Sequence, residues 1–175
     1  MLFRSTHYDM VRPGLALYGL LPSPLLADRA NLRPAMQLRA TIVALRDVSA
    51  GTRIGYGHTH EMRAPGRVAV LHFGYAQGYP RALSNRGSTL VRGRLAPVVG
   101  IVSMDHTTID VTGNPDVAVG DEATLWGPGD EPALDVMSVG ALAGTIGYEL
   151  LTRVSPAIPR VHVSGASLRS ASGRG

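Results

Sequence analysis

Met36–Val48 reads MQLRATIVALRDV. Its first residues alternate apolar and polar side chains, and its middle, Thr41–Ile42–Val43, is β-branched. A two-residue period with branched side chains fits a strand that buries one face. Ser49–Ala50–Gly51 ends the run as a turn. Working outward, similar short runs recur. Arg67–Phe73, RVAVLHF, follows the turn Ala64–Pro65–Gly66. Ser88–Val91 and Ala96–Ile101 read as a hairpin or a strand pair about Arg92–Gly93–Arg94. His106–Val111 alternates again, Glu122–Trp126 is stopped by Gly127–Pro128–Gly129, and Arg160–Val163 reads as a last strand. Short strands with regular Gly/Pro turns predict a mainly β chain, folded as a barrel or sandwich.

One region breaks the pattern. Across Leu134–Val154, Asp135 is a candidate helix cap. Val136, Val139, Leu142 and Ala143 then recur at helical spacing. Gly144 interrupts, and Tyr148–Leu151 begins a second short helical turn. Ahead of the strands, Asp9–Gly19 reads DMVRPGLALYG, where Pro13 and Gly14 suggest a turn that presents backbone N–H groups to an anion. Leu20–Pro34 is rich in Leu and Pro and reads as a surface linker. Ser164–Gly175 is polar and glycine-rich, the composition of a disordered tail.

The 175 residues suffice for one domain and a piece of a second. With 45% hydrophobic and 17% charged residues, the composition is globular. There is no cysteine, which removes disulfides, thiolate metal sites and cysteine nucleophiles, and fits a cytoplasmic protein. No run approaches the roughly 18 to 20 apolar residues of a membrane span, and the N-terminus lacks the pattern of a signal peptide. All 17 basic residues are arginine, and lysine is absent. The arginines are scattered, so the net charge of +4 reads as a solvated surface and not as a nucleic-acid site.

Several residues invite chemistry, each with a plainer reading. His58 and His60 would share a face if they lay on one strand, but a metal needs a third ligand, and no helical H-E-x-x-H occurs. They read better as loop histidines, and no metal is expected. Gly74–Tyr79, GYAQGY, matches neither a Walker loop nor a dinucleotide fingerprint. It reads as a turn whose two tyrosines are suited to lining a pocket. Tyr56 in RIGYGHTH stands between two glycines, either as an exposed loop aromatic or as a general acid/base. A free phenol titrates near ~10, so a phenol base needs a cationic or hydrogen-bonding neighbour. Ser103–Met104–Asp105 ends a strongly apolar strand, where Asp is ordinarily a turn residue. Tyr148 opens a helical stretch and is ordinarily half-buried.

Taken in order, these pieces form a longer series. They are DMVRPGLALYG at Asp9–Gly19, IGYGHTH at Ile54–His60, FGYAQGYPR at Phe73–Arg81 and PVVGIVSMDH at Pro97–His106. VGDEATLWG at Val119–Gly127, GTIGYELLTRV at Gly144–Val154 and IPRVHV at Ile158–Val163 complete it. The series resembles the C-terminal half of the alanine racemases, over about residues 8 to 163. The resemblance implies a pyridoxal 5'-phosphate-dependent isomerase that interconverts L- and D-alanine for peptidoglycan. It also implies a homodimer whose sites draw on both subunits. By the same resemblance, residues 1–19 are the end of an N-terminal cofactor-binding (β/α)8 barrel and 20–35 a linker. Residues 36–163 are then the C-terminal β domain, followed by the tail at 164–175.

Site roles follow from the resemblance residue by residue. Tyr56 is similar to the catalytic tyrosine, which acts across the dimer on the substrate face opposite a lysine. Arg12 is similar to the arginine that meets the pyridine nitrogen. Gly14 and Leu15 match backbone positions at the cofactor phosphate, and Tyr148 a tyrosine that meets the same group. Tyr75 matches an entrance tyrosine, and Met104 with Asp105 the loop that reaches the substrate carboxylate. Gln77 departs from the family, which usually carries an acid there, and His106 stands where glutamine is common. The lysine that anchors the cofactor is absent from these 175 residues. The resemblance therefore implies a chain inactive alone, needing a lysine-bearing barrel as partner. A different class stays open beside it: a stand-alone β-barrel binding or regulatory module without catalysis.

Overall fold

The computed structural model describes residues 5, 7–23, 25–26, 31–127 and 131–163. The expected tail at 164–175, Pro128–Gly129 and parts of segments 1–19 and 20–35 lie outside the described residues. Among the described residues eight strands run in chain order: β1 Leu38–Val48, β2 Arg53–Ile54, β3 His60–Glu61, β4 Gly66–Leu71, β5 Ser88–Val91, β6 Arg94–Pro97, β7 Thr107–Asp110 and β8 Glu122–Trp126. Two helices follow, α1 Val136–Leu142 and α2 Gly147–Arg153.

Six strands form one antiparallel sheet in the order β6-β5-β8-β1-β4-β7. Its two outer strands meet: Val98, just past β6, bridges Ile109 of β7, and the Val99 N–H donates to the Thr108 carbonyl at 2.9 Å. The sheet thereby nearly closes into a barrel, which shortens the open edges that invite aggregation. β1 makes the closure possible. Its first part pairs with β8, from Leu38↔Trp126 to Thr41↔Glu122, and its second with β4, from Ile42↔Leu71 to Val48↔Gly66. The register shifts between Leu38 and Arg39 and again between Ile42 and Ala44. Such bulges bend a strand and increase its twist.

The alternation read in Met36–Val48 appears as burial. Leu38, Ala40 and Ile42 point inward, and Arg39, Thr41 and Val43 point outward. Inside, Ile42, Leu71, Ile109, Leu125 and Trp126 are almost wholly enclosed. Each such aliphatic side chain contributes roughly 1.5–3 kcal/mol relative to exposure. Val136, Val139, Leu150, Leu151 and Val154 of the helical region join the same core. Asp135 caps α1 as expected, accepting from the Met137 and Ser138 N–H groups at 2.9 and 3.2 Å.

Two expected strands differ. The hairpin partner of β5 is Arg94–Pro97, not Ala96–Ile101. Arg92 and Gly93 both have positive φ, at 48° and 74°, so a two-residue turn starts the return strand earlier. Gly100, at φ 81°, ends extended pairing. Arg160–Val163 forms no strand, and its Val161 is 81% exposed. The outer strands meet at Val98 and Ile109, which narrows the edge this segment could join. Arg160 instead folds back, donating to the carbonyls of Val154, Ser155 and Ile158.

The N-terminal stretch lies against the barrel. Leu15 and Leu20 join its core, while Leu17 faces solvent and Leu21 is half-buried. The Ala35 N–H donates to the Tyr18 carbonyl at 2.9 Å, so the two ends of the intervening segment are pinned together. A Cβ on Gly19 would sit 1.6 Å from the Arg33 carbonyl oxygen, which leaves room only for glycine.

Candidate active site

Tyr56 begins a short 3-10 turn, Tyr56–His58, between β2 and β3. Gly55 and Gly57 hold positive φ on either side, at 71° and 67°, and the ring is 74% exposed. Exposure follows from the neighbours, since two glycines offer the ring no side chain to pack on. The backbone behind it is firm. A Cβ on Gly100 would come 2.9 Å from the Ile54 carbonyl oxygen, so the two segments touch. Beneath them Ile54, Met62, Val68 and Val99 form a small apolar cluster.

Asn85 ties this loop down. Its amide Nδ2 donates to Thr59 Oγ1 at 2.9 Å, and its Oδ1 accepts from the Gly100 N–H at 2.6 Å. Beside it, the Val102 N–H donates to Ser84 Oγ at 3.0 Å. Sequence reasoning missed both residues. Ser84–Gly87, SNRG, signals a turn, and Asn85 does hold a left-handed φ of 56°. Nothing in that signal names partners at Thr59 and Gly100.

A second junction joins Gly74–Gly78 to Ser103–Asp105. The Tyr75 N–H donates to the Ser103 carbonyl at 3.0 Å, and the Ala76 N–H to the Met104 carbonyl at 2.9 Å. A Cβ on Gly74 would lie 2.3 Å from both of those oxygens. Gln77 Oε1 accepts from the Gly74 N–H at 2.9 Å, and its Nε2 donates to Asp105 Oδ1 at 3.2 Å. Tyr75, Met104 and Asp105 are thus brought together, with Tyr75 and Met104 partly in solvent. His106 follows, its ring 5.3 Å from that of His72.

The two tyrosines of GYAQGY differ from the expectation of a shared pocket. Tyr75 is exposed, but Tyr79 is enclosed in the core beside Leu83 and Gly87. Burial pushes its phenol pKa well above the ordinary value. Its hydroxyl finds no hydrogen-bond partner among the described residues. The histidines also separate: His58 ends the 3-10 turn with φ 51°, and His60 lies in β3. Among the described residues no three His, Asp or Glu side chains cluster as metal ligands.

The remaining expected residues lie on the N-terminal stretch and on α2. Arg12 is exposed and makes no hydrogen bond or ion pair with a described residue. Gly14 and Leu15 start a 3-10 turn, Gly14–Tyr18, whose first N–H groups have no partner inside the turn. A Cβ on Gly14 would meet nothing within 4 Å. Tyr148 stands in the first turn of α2 with its side chain partly in solvent. A small cavity lined by Tyr18, Leu20, Pro34, Asp135 and Leu151 shows how the first segment seats against the helices. Arg12 offers a guanidinium, the Gly14–Leu15 turn its N–H groups and Tyr148 a phenol, which are donors of the kinds a phosphate-bearing pyridine accepts.

A family model described as alanine racemase, C-terminal domain, matches residues 35–162. Over 158 residues the chain is 45% identical to an alanine racemase of Halothermothrix orenii, covering 90% of this chain and 42% of that protein. The crystal structure of alanine racemase from D-cycloserine producing Streptomyces lavendulae matches with a TM-score of 0.82 at 38% identity, over 92% of this chain and 42% of that one. The alanine racemase from Bacillus anthracis with bound L-Ala-P matches with a TM-score of 0.85 at 32% identity, over 93% and 42% of the two chains. The chain spans about two fifths of the length of the curated relatives it matches.

Proposed function

The chain belongs to the alanine racemase family through its C-terminal domain, and from that premise we propose that it supplies the tyrosine side of a two-base racemisation of alanine. The observation that carries the proposal is Tyr56 itself: an exposed phenol, flanked by two left-handed glycines and backed by the Gly100 backbone. Racemisation needs a proton removed from the alanine Cα on one face and another delivered to the opposite face. Tyr56 Oη serves one face. A lysine on a barrel domain, which these 175 residues do not contain, serves the other.

Bound pyridoxal 5'-phosphate supplies the electron sink that acidifies the Cα–H bond. Arg12 would face its pyridine nitrogen, and the Gly14 and Leu15 N–H groups with the Tyr148 hydroxyl would hold its phosphate. Because arginine stays protonated, Arg12 would keep that nitrogen from taking up a proton and so would moderate the sink. Met104 and Asp105 meet the substrate carboxylate, and Tyr75 stands at the entrance. An exposed Tyr56 needs a desolvated, donor-rich surface opposite it to act as a base. A second subunit provides that surface in a cytoplasmic homodimer. Among the described residues no helix is long and apolar enough to cross a membrane.

The test unites this chain with a lysine-bearing barrel segment of the family, adds the cofactor and measures D-alanine formed from L-alanine and the reverse. Turnover is expected only with both parts present. Tyr56→Phe should keep the cofactor's absorbance while lowering turnover by about 10²–10⁴-fold, the usual contribution of a positioned acid/base. Equal rates for Tyr56→Phe and the parent in both directions would refute the assignment.

A further inference from the structure

His72 and His106 are far apart in sequence, and the sheet brings them side by side. The β4–β7 ladder runs from Val68↔Asp110 to Leu71↔Thr107, and the next step along it sets His72 opposite His106. The His72 N–H points the other way, donating to the Thr41 carbonyl of β1 at 3.1 Å. A cross-strand pair that exchanges no backbone bonds is the closely spaced kind, with its side chains nearest each other. Leu71 and Thr107 beside the pair face the core. By strand alternation the two imidazoles share the outer face, where both residues are exposed.

The backbone under both rings is held. Thr107 Oγ1 donates across the ladder to the Phe73 carbonyl at 2.7 Å, next to the pair. The His106 N–H donates to Ser103 Oγ at 3.2 Å, and the His106 carbonyl accepts from the Ser103 N–H at 2.9 Å. The ring nitrogens, by contrast, make no hydrogen bond with a described residue. The ring centroids are 5.3 Å apart and the planes are tilted by 56°, so the rings do not stack. A zinc ion bound at about 2.1 Å to one imidazole nitrogen stands about 3.2 Å from the ring centre. Two centres 5.3 Å apart then subtend about 110° at the ion, the angle between tetrahedral ligands. A right-angled pair, as in square or octahedral coordination, needs centres about 4.5 Å apart.

We propose that His72 and His106 form a two-imidazole chelate for a borderline divalent cation, Zn²⁺ in the first instance, with water in the two remaining positions. Among the described residues no third His, Asp or Glu joins them. The site is therefore open and exchangeable, unlike a closed structural zinc. The bound ion ties the end of β4 to the residue that follows Asp105, and so stiffens the Ser103–His106 turn. His58 and His60 offer no such pair, since one ends a 3-10 turn and the other lies in β3. Nothing in the proposal depends on Tyr56 or on a cofactor.

The test is a calorimetric titration of the 175-residue chain with ZnCl₂ and, separately, with MgCl₂, while NMR follows the imidazole resonances. One saturable Zn²⁺ site is expected, shifting the His72 and His106 rings. Mg²⁺, which prefers oxygen ligands, should leave both unmoved. His72→Ala and His106→Gln should each weaken the site about a hundredfold, because a single imidazole loses the chelate. His58→Ala combined with His60→Ala should keep the affinity within about twofold, as distant sites act independently. Filling the site should also slow amide exchange across Ser103–His106. Four results would each overturn the proposal: no saturable Zn²⁺ site, parent affinity in His72→Ala or His106→Gln, loss of the site in the His58 and His60 double variant, or unchanged exchange with the site filled.

Discussion

Two solvent-facing stretches carry proposed site residues, and the chain fixes them by different means. The stretch with Arg12, Gly14 and Leu15 is held by packing, with Leu15 and Leu20 sunk into the barrel core. The loop with Tyr56 is held by polar contacts, through Asn85 to Thr59 and Gly100, over a small apolar cluster. Apolar anchoring is strong but non-directional, so it sets where a segment lies more firmly than which way its side chains face. Hydrogen bonds contribute less net stability, but they fix direction. A cofactor contact made by backbone N–H groups tolerates the first kind of anchor. A proton transfer from one phenol requires the second.

Removing each anchor in turn tests the contrast. Leu20→Ala, which empties a site only 6% exposed, should destabilise the chain by about 2–5 kcal/mol in denaturant unfolding. Amide exchange around residues 14–20 should rise well above that at Tyr56. Equal loosening at Tyr56 would show that the two stretches form one cooperative unit. Asn85→Ala should cost less, about 1–3 kcal/mol for two lost bonds and a freed Gly100 N–H. Its effect should centre on exchange at residues 54–60 and 100, leaving 14–20 unchanged.

An ion pair at the β5–β6 turn sets the lower end of the scale. Arg92 grips Asp121 through two bonds of 2.6 and 2.9 Å, and the Ala118 N–H adds a third at 2.9 Å. The Arg92 bond first, then the Ala118 N–H, draw the Asp121 pKa below its ordinary value. A carboxylate lowered in the folded state stabilises the fold above the unfolded value of about 3.9, and loses that contribution as pH falls through the folded value. Asp121→Asn should therefore lower Tm slightly at pH 7, and the gap from the parent should narrow as pH drops below about 4. A gap that widened in acid would reverse the sign of this linkage.

Much of the barrel was legible because it rests on local pattern. Glu122–Trp126 is a strand with the bounds read from its Gly127–Pro128–Gly129 stop, and Asp135 caps α1. Arg160–Val163 carries the same alternation and is no strand, because pairing depends on a free edge that no local pattern reports. Tyr79 and Tyr75 share one motif, but only the fold decides that one is enclosed and the other open. In the site, the exposure of Tyr56 follows from its flanking glycines. The tethers do not. Asn85 reaches back to Thr59 and forward to Gly100, and Gln77 reaches Asp105, across distances in sequence where type and spacing carry no signal.

The divided strand β1 also bears on how the chain is made. Its first residues wait for β8, at Leu38↔Trp126, while its second part pairs with β4, at Ile42↔Leu71. Pairings so far apart in sequence slow folding, because a long loop must close before they form. On the ribosome, β1 emerges early and stays half-paired until Trp126 has left the exit tunnel. The Val98–Ile109 bridge that closes the barrel lies beside the Gly100 to which Asn85 ties the Tyr56 loop. The contacts that seat the Tyr56 loop, from Asn85 to the Val98–Ile109 bridge, all precede β8 in the chain, so a nascent chain can set this loop before β1 gains its second partner.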